Sequence, residues 1–186
     1  MSPRTSLIVR VSAAALLAVV VAGPASAGSA SKKSGDKAFF EQVAGVWQGR
    51  GEIVAGKYKG TKFNCNLTGD TPQAKAAGIK LDGFCRVGVF KQTMSALITQ
   101  AGGGYTGKFL DGAAGKGLDI THGQVSGNKV VVGINRQKLN GAMIARLEGE
   151  NTMNITISVK VEDRMIPVIG MSLNRDMDTA AIGAIK

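Results

Sequence analysis

The chain is poor in the residues from which most metal and catalytic sites are built. Its 186 residues include one histidine, His122, and two cysteines, Cys65 and Cys85. Structural zinc sites use about four histidine or cysteine ligands, so a single histidine cannot assemble one if the cysteines pair with each other. The sequence contains neither a Cys-x-x-Cys spacing nor a nucleophile-elbow pattern. We therefore expect no metal site, no bound cofactor and no catalytic residue, and hence not an enzyme.

Aromatic residues and prolines are also scarce. Nine aromatic residues in the whole chain are too few for the two aromatic girdles of an outer-membrane barrel. Only Pro72 and Pro167 follow residue 27, which favours continuous β-ladders because proline lacks the N–H that a ladder uses. Basic residues recur singly rather than in clusters with aromatic residues, so nucleic acid is not an expected partner.

The first 27 residues have the pattern of a bacterial secretory signal. Arg4 and Arg10 precede an apolar stretch over residues 11–21, and the small residues at 25–27 predict cleavage after Ala27. The apolar stretch is shorter than the ~20 residues that a membrane-spanning helix needs, so no membrane span is expected. The sequence thus predicts a soluble protein that is periplasmic or secreted.

The remaining 159 residues are enough for one domain with a hydrophobic core. They carry 21 basic and 13 acidic residues, a net charge of +8. An envelope polyanion or a protein partner would be attracted to such a surface, and that attraction would weaken with salt. Residues 28–36 are small, polar and basic, which predicts a flexible leader before a single domain over 37–186.

A short helix is predicted at the start of this domain. In "DKAFFEQVAG", Asp36 is placed to cap the helix, Phe39 and Val43 lie four apart on one face, and Gly45 ends it. From Val46 onward the hydrophobic period is two, as in "TMNITISVKVED". About ten such segments follow one another at roughly ten-residue spacing, with no helix long enough for a parallel crossover. The fold class predicted is all-β, an antiparallel up-and-down barrel whose closure removes both sheet edges.

The positions of the two cysteines provide a check on how the predicted strands pair. Cys65 and Cys85 are equidistant from Lys75, in the middle of a polar, turn-forming segment, so the hairpin brings them opposite each other on the inward face. An oxidising compartment then favours a disulfide.

Two residues are candidates for ligand contact. His122 shares a face with Leu118 and Ile120 in a period-two strand, although a buried or rim histidine with a satisfied hydrogen bond has the same pattern. Met171 belongs to a set of methionines that suit either core filling or an adaptable apolar pocket.

The helix, the segment "GVWQGRGEI" and the ten-strand meander together resemble the calycin-type barrels, the lipocalins and their relatives. Gly45 and Trp47 match the Gly-x-Trp that opens the first strand of that family, and Arg175 matches the arginine that packs over the tryptophan. The resemblance implies that Gly45, Trp47 and Arg175 close one end of the barrel. The glycine spacing of this segment is more similar to that of nitrobindin-like haem-binding barrels.

Nitrobindin-like proteins bind haem iron through a histidine in a C-terminal strand, and "IPVIGMSLNR" contains none. Haem is therefore not an expected cofactor. The sequence predicts a barrel that binds a small, largely apolar ligand in its interior. The alternative is a protein-binding module or inhibitor that acts through loops and a basic surface, and a filled interior would favour it.

Overall fold

A computed structural model gives the fold of the chain. It describes residues 27–72, 77–110, 112 and 117–177, with side chains from residue 35 onward. The predicted signal segment therefore lies almost wholly outside the described residues. One helix precedes ten strands, which follow one another along the chain. The elements are α1 (Ala27–Val43), β1 (Gly45–Ile53), β2 (Lys62–Asp70), β3 (Gly78–Val87), β4 (Phe90–Ala101), β5 (Gly104–Leu110), β6 (Leu118–Ser126), β7 (Lys129–Arg136), β8 (Leu139–Glu148), β9 (Thr152–Val161) and β10 (Arg164–Arg175).

The ten strands form one closed antiparallel barrel, which confirms the predicted fold class. Each strand pairs with its neighbours in the chain, and β1 pairs with β10 to close the sheet. The closing ladder runs from Trp47 opposite Arg175 to Ile53 opposite Ile169. Closure leaves no edge strand within the barrel, although the ladder between β5 and β6 is short and runs only from Gly107 opposite Ile120 to Phe109 opposite Leu118.

Alternate residues of the strands point into the barrel, as the period-two pattern predicts, except where bulges interrupt β6 and β10. In β2 the buried residues are Phe63, Cys65, Leu67 and Gly69, and the residues between them are partly or fully exposed. The core of the protein is therefore the barrel interior, lined by one face of every strand. The hydrophobic effect selects this register because a one-residue slip would expose the whole apolar face of a strand.

The two ends of the barrel differ. We call the closed end the one where α1 lies, together with the loops that follow β2, β4, β6 and β8. The open end carries the β1–β2, β3–β4, β5–β6, β7–β8 and β9–β10 loops. Phe39, Phe40 and Val43 of α1 are buried against the barrel interior. The amphipathic helix thus covers one end, while no helix covers the other end in the described part of the chain.

The helix differs from its prediction at its N-terminus. It begins at Ala27, so residues 28–36, which the composition predicts to be a flexible leader, lie within the helix. Asp36 is consequently not a helix cap. Its side chain is buried and accepts a hydrogen bond from the hydroxyl of Tyr105 in β5. Asp36 therefore links the helix to β5 instead of capping the helix. The composition of the segment does not reveal this tertiary contact.

Cys65 and Cys85 form the predicted disulfide. They are directly opposite each other in the ladder between β2 and β3, and both are buried on the inward face. The bridge closes a loop of about twenty residues and thereby stabilises the hairpin by about 3 kcal/mol, chiefly by restricting the unfolded chain.

Candidate functional site

The barrel encloses a cavity of about 640 Å³. This volume lies within the ~300 to 1,000 Å³ that is typical of small-molecule binding sites. All but four of the residues that line the cavity are apolar, and they come from α1 and from all ten strands. Such a chamber has few groups that can hydrogen-bond water, so an apolar molecule is its favoured occupant.

The four polar lining residues carry no negative charge. They are Lys91, Gln92, Ser95 and Arg136. Lys91 and Gln92 follow the β3–β4 loop, and Arg136 precedes the β7–β8 loop, so these three lie at the open end. Nε of Arg136 donates a hydrogen bond to the carbonyl of Gly117, 3.0 Å away, which links β7 to the loop that enters β6. The two basic lining residues are thus both at the mouth of the cavity, and the Nζ of Lys91 lies over the ring of Phe84 on the outer wall.

The cavity communicates with solvent at the open end. Phe90 and Leu139 belong to its lining, and their side chains are 78% and 41% exposed. At the other end the lining includes Phe39, Phe40 and Val43 of α1, which are all nearly inaccessible to solvent. A molecule would therefore enter between the open-end loops rather than past the helix.

Trp47 and Arg175 lie beneath the helix at the closed end. The indole is fully buried, and its Nε1 donates a hydrogen bond to the carbonyl of Val43, 2.8 Å away. The guanidinium of Arg175 lies over the indole ring, 4.4 Å from its centroid. This geometry allows a cation–π attraction that draws the last strand against the first.

Arg175 also holds the chain where the helix turns into the first strand. Its guanidinium donates to the carbonyls of Gln42 and Ala44, the latter at 2.7 Å, and to that of Glu150 at 3.1 Å. The first two carbonyls are at the helix C-terminus, where carbonyls lack intrahelical partners and a cation is favoured. A single side chain therefore joins the helix, β10 and the β8–β9 loop.

The glycines of "GVWQGRGEI" make room for neighbours of the strand. Gly45 has a φ of +121°, which suits glycine, and a Cβ there would collide with the guanidinium of Arg175. Gly51 faces the ring of Phe63, which occupies the space where a side chain would project. The glycine at 51 therefore accommodates Phe63 rather than the indole of Trp47, which lies nearer the closed end.

A second buried contact ties the helix to the barrel. The hydroxyl of Tyr105 donates a hydrogen bond to Oδ2 of Asp36, 2.9 Å away, and both residues are buried. The ring of Tyr105 packs edge-on against Phe40, with the centroids 5.0 Å apart. Burial, and then the hydrogen bond to Asp36, raise the pKa of Tyr105 well above its usual range. This pair is a polar anchor at the closed end, away from the cavity lining.

The structure separates the two candidate ligand-contacting residues. Met171 lines the cavity, whereas His122 is exposed and does not. The expectation that His122 shares a face with Leu118 and Ile120 is wrong, because a bulge inserts Thr121 between the paired residues Ile120 and His122. The extra residue reverses the alternation of the strand, so the imidazole lies outside the barrel.

The imidazole of His122 is not placed to bind a haem iron inside the barrel. The one imidazole of the chain is on the outer surface, and it cannot reach an iron atom in the cavity. Within residues 27–72, 77–110, 112 and 117–177, no three histidine, cysteine, aspartate or glutamate side chains are grouped so that they could hold a metal ion.

Comparison with known proteins does not assign the chain to a family. No protein-family model matches the chain, and no curated protein matches its sequence significantly. The closed ten-strand antiparallel barrel is consistent with a calycin-like architecture. Among the described residues, no helix is both long enough and apolar enough to cross a membrane.

Proposed function

We propose that this protein is an exported, soluble barrel that binds one small, largely apolar ligand in its interior. The observation that supports this proposal is the apolar cavity of about 640 Å³, which is closed at one end by α1 and reaches solvent at the other. A barrel whose only role was to present loops would be expected to fill its interior with side chains, as small barrels do. The cavity therefore favours a ligand-binding protein over the alternative of a protein-binding module or inhibitor.

The chemistry of the lining defines the ligand class. Burying apolar surface gains roughly 25 cal/mol per Å², and the walls offer no carboxylate and few hydrogen-bonding groups. Strongly polar ligands would lose hydration without finding new partners. Hydrocarbon chains or fused apolar rings would not carry this cost. A ligand that carries a polar group would place it at the mouth, beside Gln92 and Arg136.

A pair of variants tests the site directly. Ala96 is buried on the cavity wall, and Leu97 is the next residue of β4, on the outer surface and 46% exposed. Ala96→Trp would fill part of the cavity, while Leu97→Trp adds an equally large ring outside it. The fluorescent apolar probe N-phenyl-1-naphthylamine should bind the unmodified protein and Leu97→Trp alike, and bind Ala96→Trp at least tenfold more weakly.

Circular dichroism of all three proteins would check that the barrel is intact. Equal probe binding by Ala96→Trp and the unmodified protein, or no binding by either, would contradict the proposal. Native mass spectrometry of protein purified from the exported fraction would identify a natural ligand as extra mass.

Export is tested separately. If the N-terminal segment is a cleaved signal, the mass of the mature protein in the periplasm or medium will correspond to a chain that starts at Gly28. Retention of full-length chain in the cytoplasm would contradict this part of the proposal and leave the cavity unaffected.

A further inference from the structure

The open end of the barrel exposes an unusual amount of apolar side chain. Of the thirteen large hydrophobic side chains that are exposed among the described residues, nine lie at this end. They come from the ends of six strands and from the loops between them, so they surround the mouth of the cavity. The rim includes Val54, Val87, Leu110, Leu139, Val161 and Met165. Exposed apolar side chains concentrated at one end of a protein point to an interaction site there.

The β3–β4 loop contributes the most exposed part of this rim. Its two residues are Gly88 and Val89, and Val89 and the following Phe90 are 90% and 78% exposed. Behind this apolar tip, two cations lie over the ring of Phe84 on the outer wall. The Arg86 guanidinium is 5.2 Å and the Lys91 Nζ 4.2 Å from the ring centroid.

Charge is distributed unequally between the two ends. Within residues 52–62, 86–91, 110, 112, 117, 136–139 and 160–165, which form the described part of the open end, nine residues are basic and three are acidic. The described part of the closed end has five basic and six acidic residues; it comprises residues 27–43, 70–72, 101–104, 126–129, 148–152 and 175–176. The open end is thus apolar and positive, whereas the closed end is nearly neutral, and this asymmetry would orient the molecule in the field of a charged surface.

We infer that the open end docks on the surface of an anionic lipid bilayer. An apolar tip with cations directly behind it matches the interface, where apolar side chains enter the acyl boundary and basic groups meet anionic headgroups. A second copy of the chain is a poorer occupant, because two open ends facing each other would bring eighteen basic side chains together against six acidic ones. Docking in this orientation would place the mouth of the cavity against the lipid. The inference does not depend on a bound ligand.

Vesicle sedimentation tests this inference. Purified protein should pellet with vesicles of equal parts phosphatidylglycerol and phosphatidylcholine, and much less with phosphatidylcholine alone. Val89→Ser with Phe90→Ser should weaken partitioning at least tenfold. The control is Val131→Ser with Ile144→Ser, an exposed apolar pair on neighbouring strands of the barrel wall, which should bind like the unmodified protein.

Two further measurements separate charge from apolar insertion. Arg86→Gln and Lys91→Gln should each weaken partitioning by about fivefold at low salt, since a basic residue near an anionic surface contributes about that factor. A tryptophan at position 90, made as Phe90→Trp, should be quenched by lipids brominated in their acyl chains. Trp47, fully buried at the opposite end, should not be quenched in the unmodified protein.

The inference is overturned if the unmodified protein fails to bind anionic vesicles at low salt, or if it binds neutral vesicles equally well. It is also overturned if both serine pairs weaken binding equally, or if Trp47 is quenched as strongly as the tryptophan at 90. Sedimentation velocity tests whether the open end instead binds a second copy of the chain. A dimer that Val89→Ser with Phe90→Ser dissociates would identify a second copy as the partner and refute the lipid assignment.

Discussion

The contact between Trp47 and Arg175 gives the sharpest test of how the barrel closes. Trp47→Ala removes a fully buried indole and its hydrogen bond to Val43, and should lower the free energy of unfolding by about 3 to 5 kcal/mol. Arg175→Ala removes three hydrogen bonds to carbonyls as well as the contact with the ring. Because this side chain is only partly buried, its loss should cost about 2 to 4 kcal/mol.

The double variant measures the coupling between the two side chains. If the cation stabilises the barrel through the ring, the double variant should be less destabilised than the sum of the single ones by about 1 to 2 kcal/mol, the value of a desolvated cation–π pair. Urea unfolding should be followed by far-ultraviolet circular dichroism, because Trp47→Ala removes the only tryptophan. Additivity within ~0.5 kcal/mol would refute the view that these residues act as one unit.

Two other contacts make separate predictions. Replacing Cys65 and Cys85 with serine should lower the free energy of unfolding by about 3 kcal/mol in urea titrations, and an unchanged midpoint would show that the bridge does not restrict the unfolded chain. Tyr105→Phe should cost about 1 to 3 kcal/mol, because it leaves the carboxylate of Asp36 buried without its donor, whereas Tyr58→Phe, at an exposed ring, should cost nothing measurable. Since the folded state raises the pKa of Tyr105, the unfolded chain loses that proton first, and stability should fall as pH rises above about 10. This fall should be shallower in Tyr105→Phe, and an identical pH profile would contradict the assignment.

Alternation of apolar and polar residues was enough to predict most of the fold. It identifies the ten strands because the side chains of a strand point to opposite faces, and it places Cys65 opposite Cys85 once the hairpin is centred between them. Closure followed from the absence of any other means to cover two edges. These inferences succeed because they depend on local sequence and on the number of strands.

Features that depend on tertiary contact could not be predicted in this way. The bulge at Thr121 adds one residue to β6, and nothing in the local pattern distinguishes the turned-out His122 from an inward one. The buried partner of Asp36, Tyr105, is in β5, sixty-nine residues away. The local sequence around Asp36 predicts a helix cap and gives no sign of this distant contact. The charge difference between the two ends likewise emerges only when the topology brings separate loops to the same end.

The central claim, that an apolar ligand occupies the barrel interior, is tested most directly by the methionine methyl groups. Met143 and Met171 line the cavity, and Met177 is exposed beyond the end of β10. In protein labelled with ¹³C at its methionine methyls, a bound apolar ligand should give nuclear Overhauser effects to Met143 and Met171 and none to Met177. Effects confined to Met177, or a saturated complex without contacts to Met143 and Met171, would contradict an interior binding site.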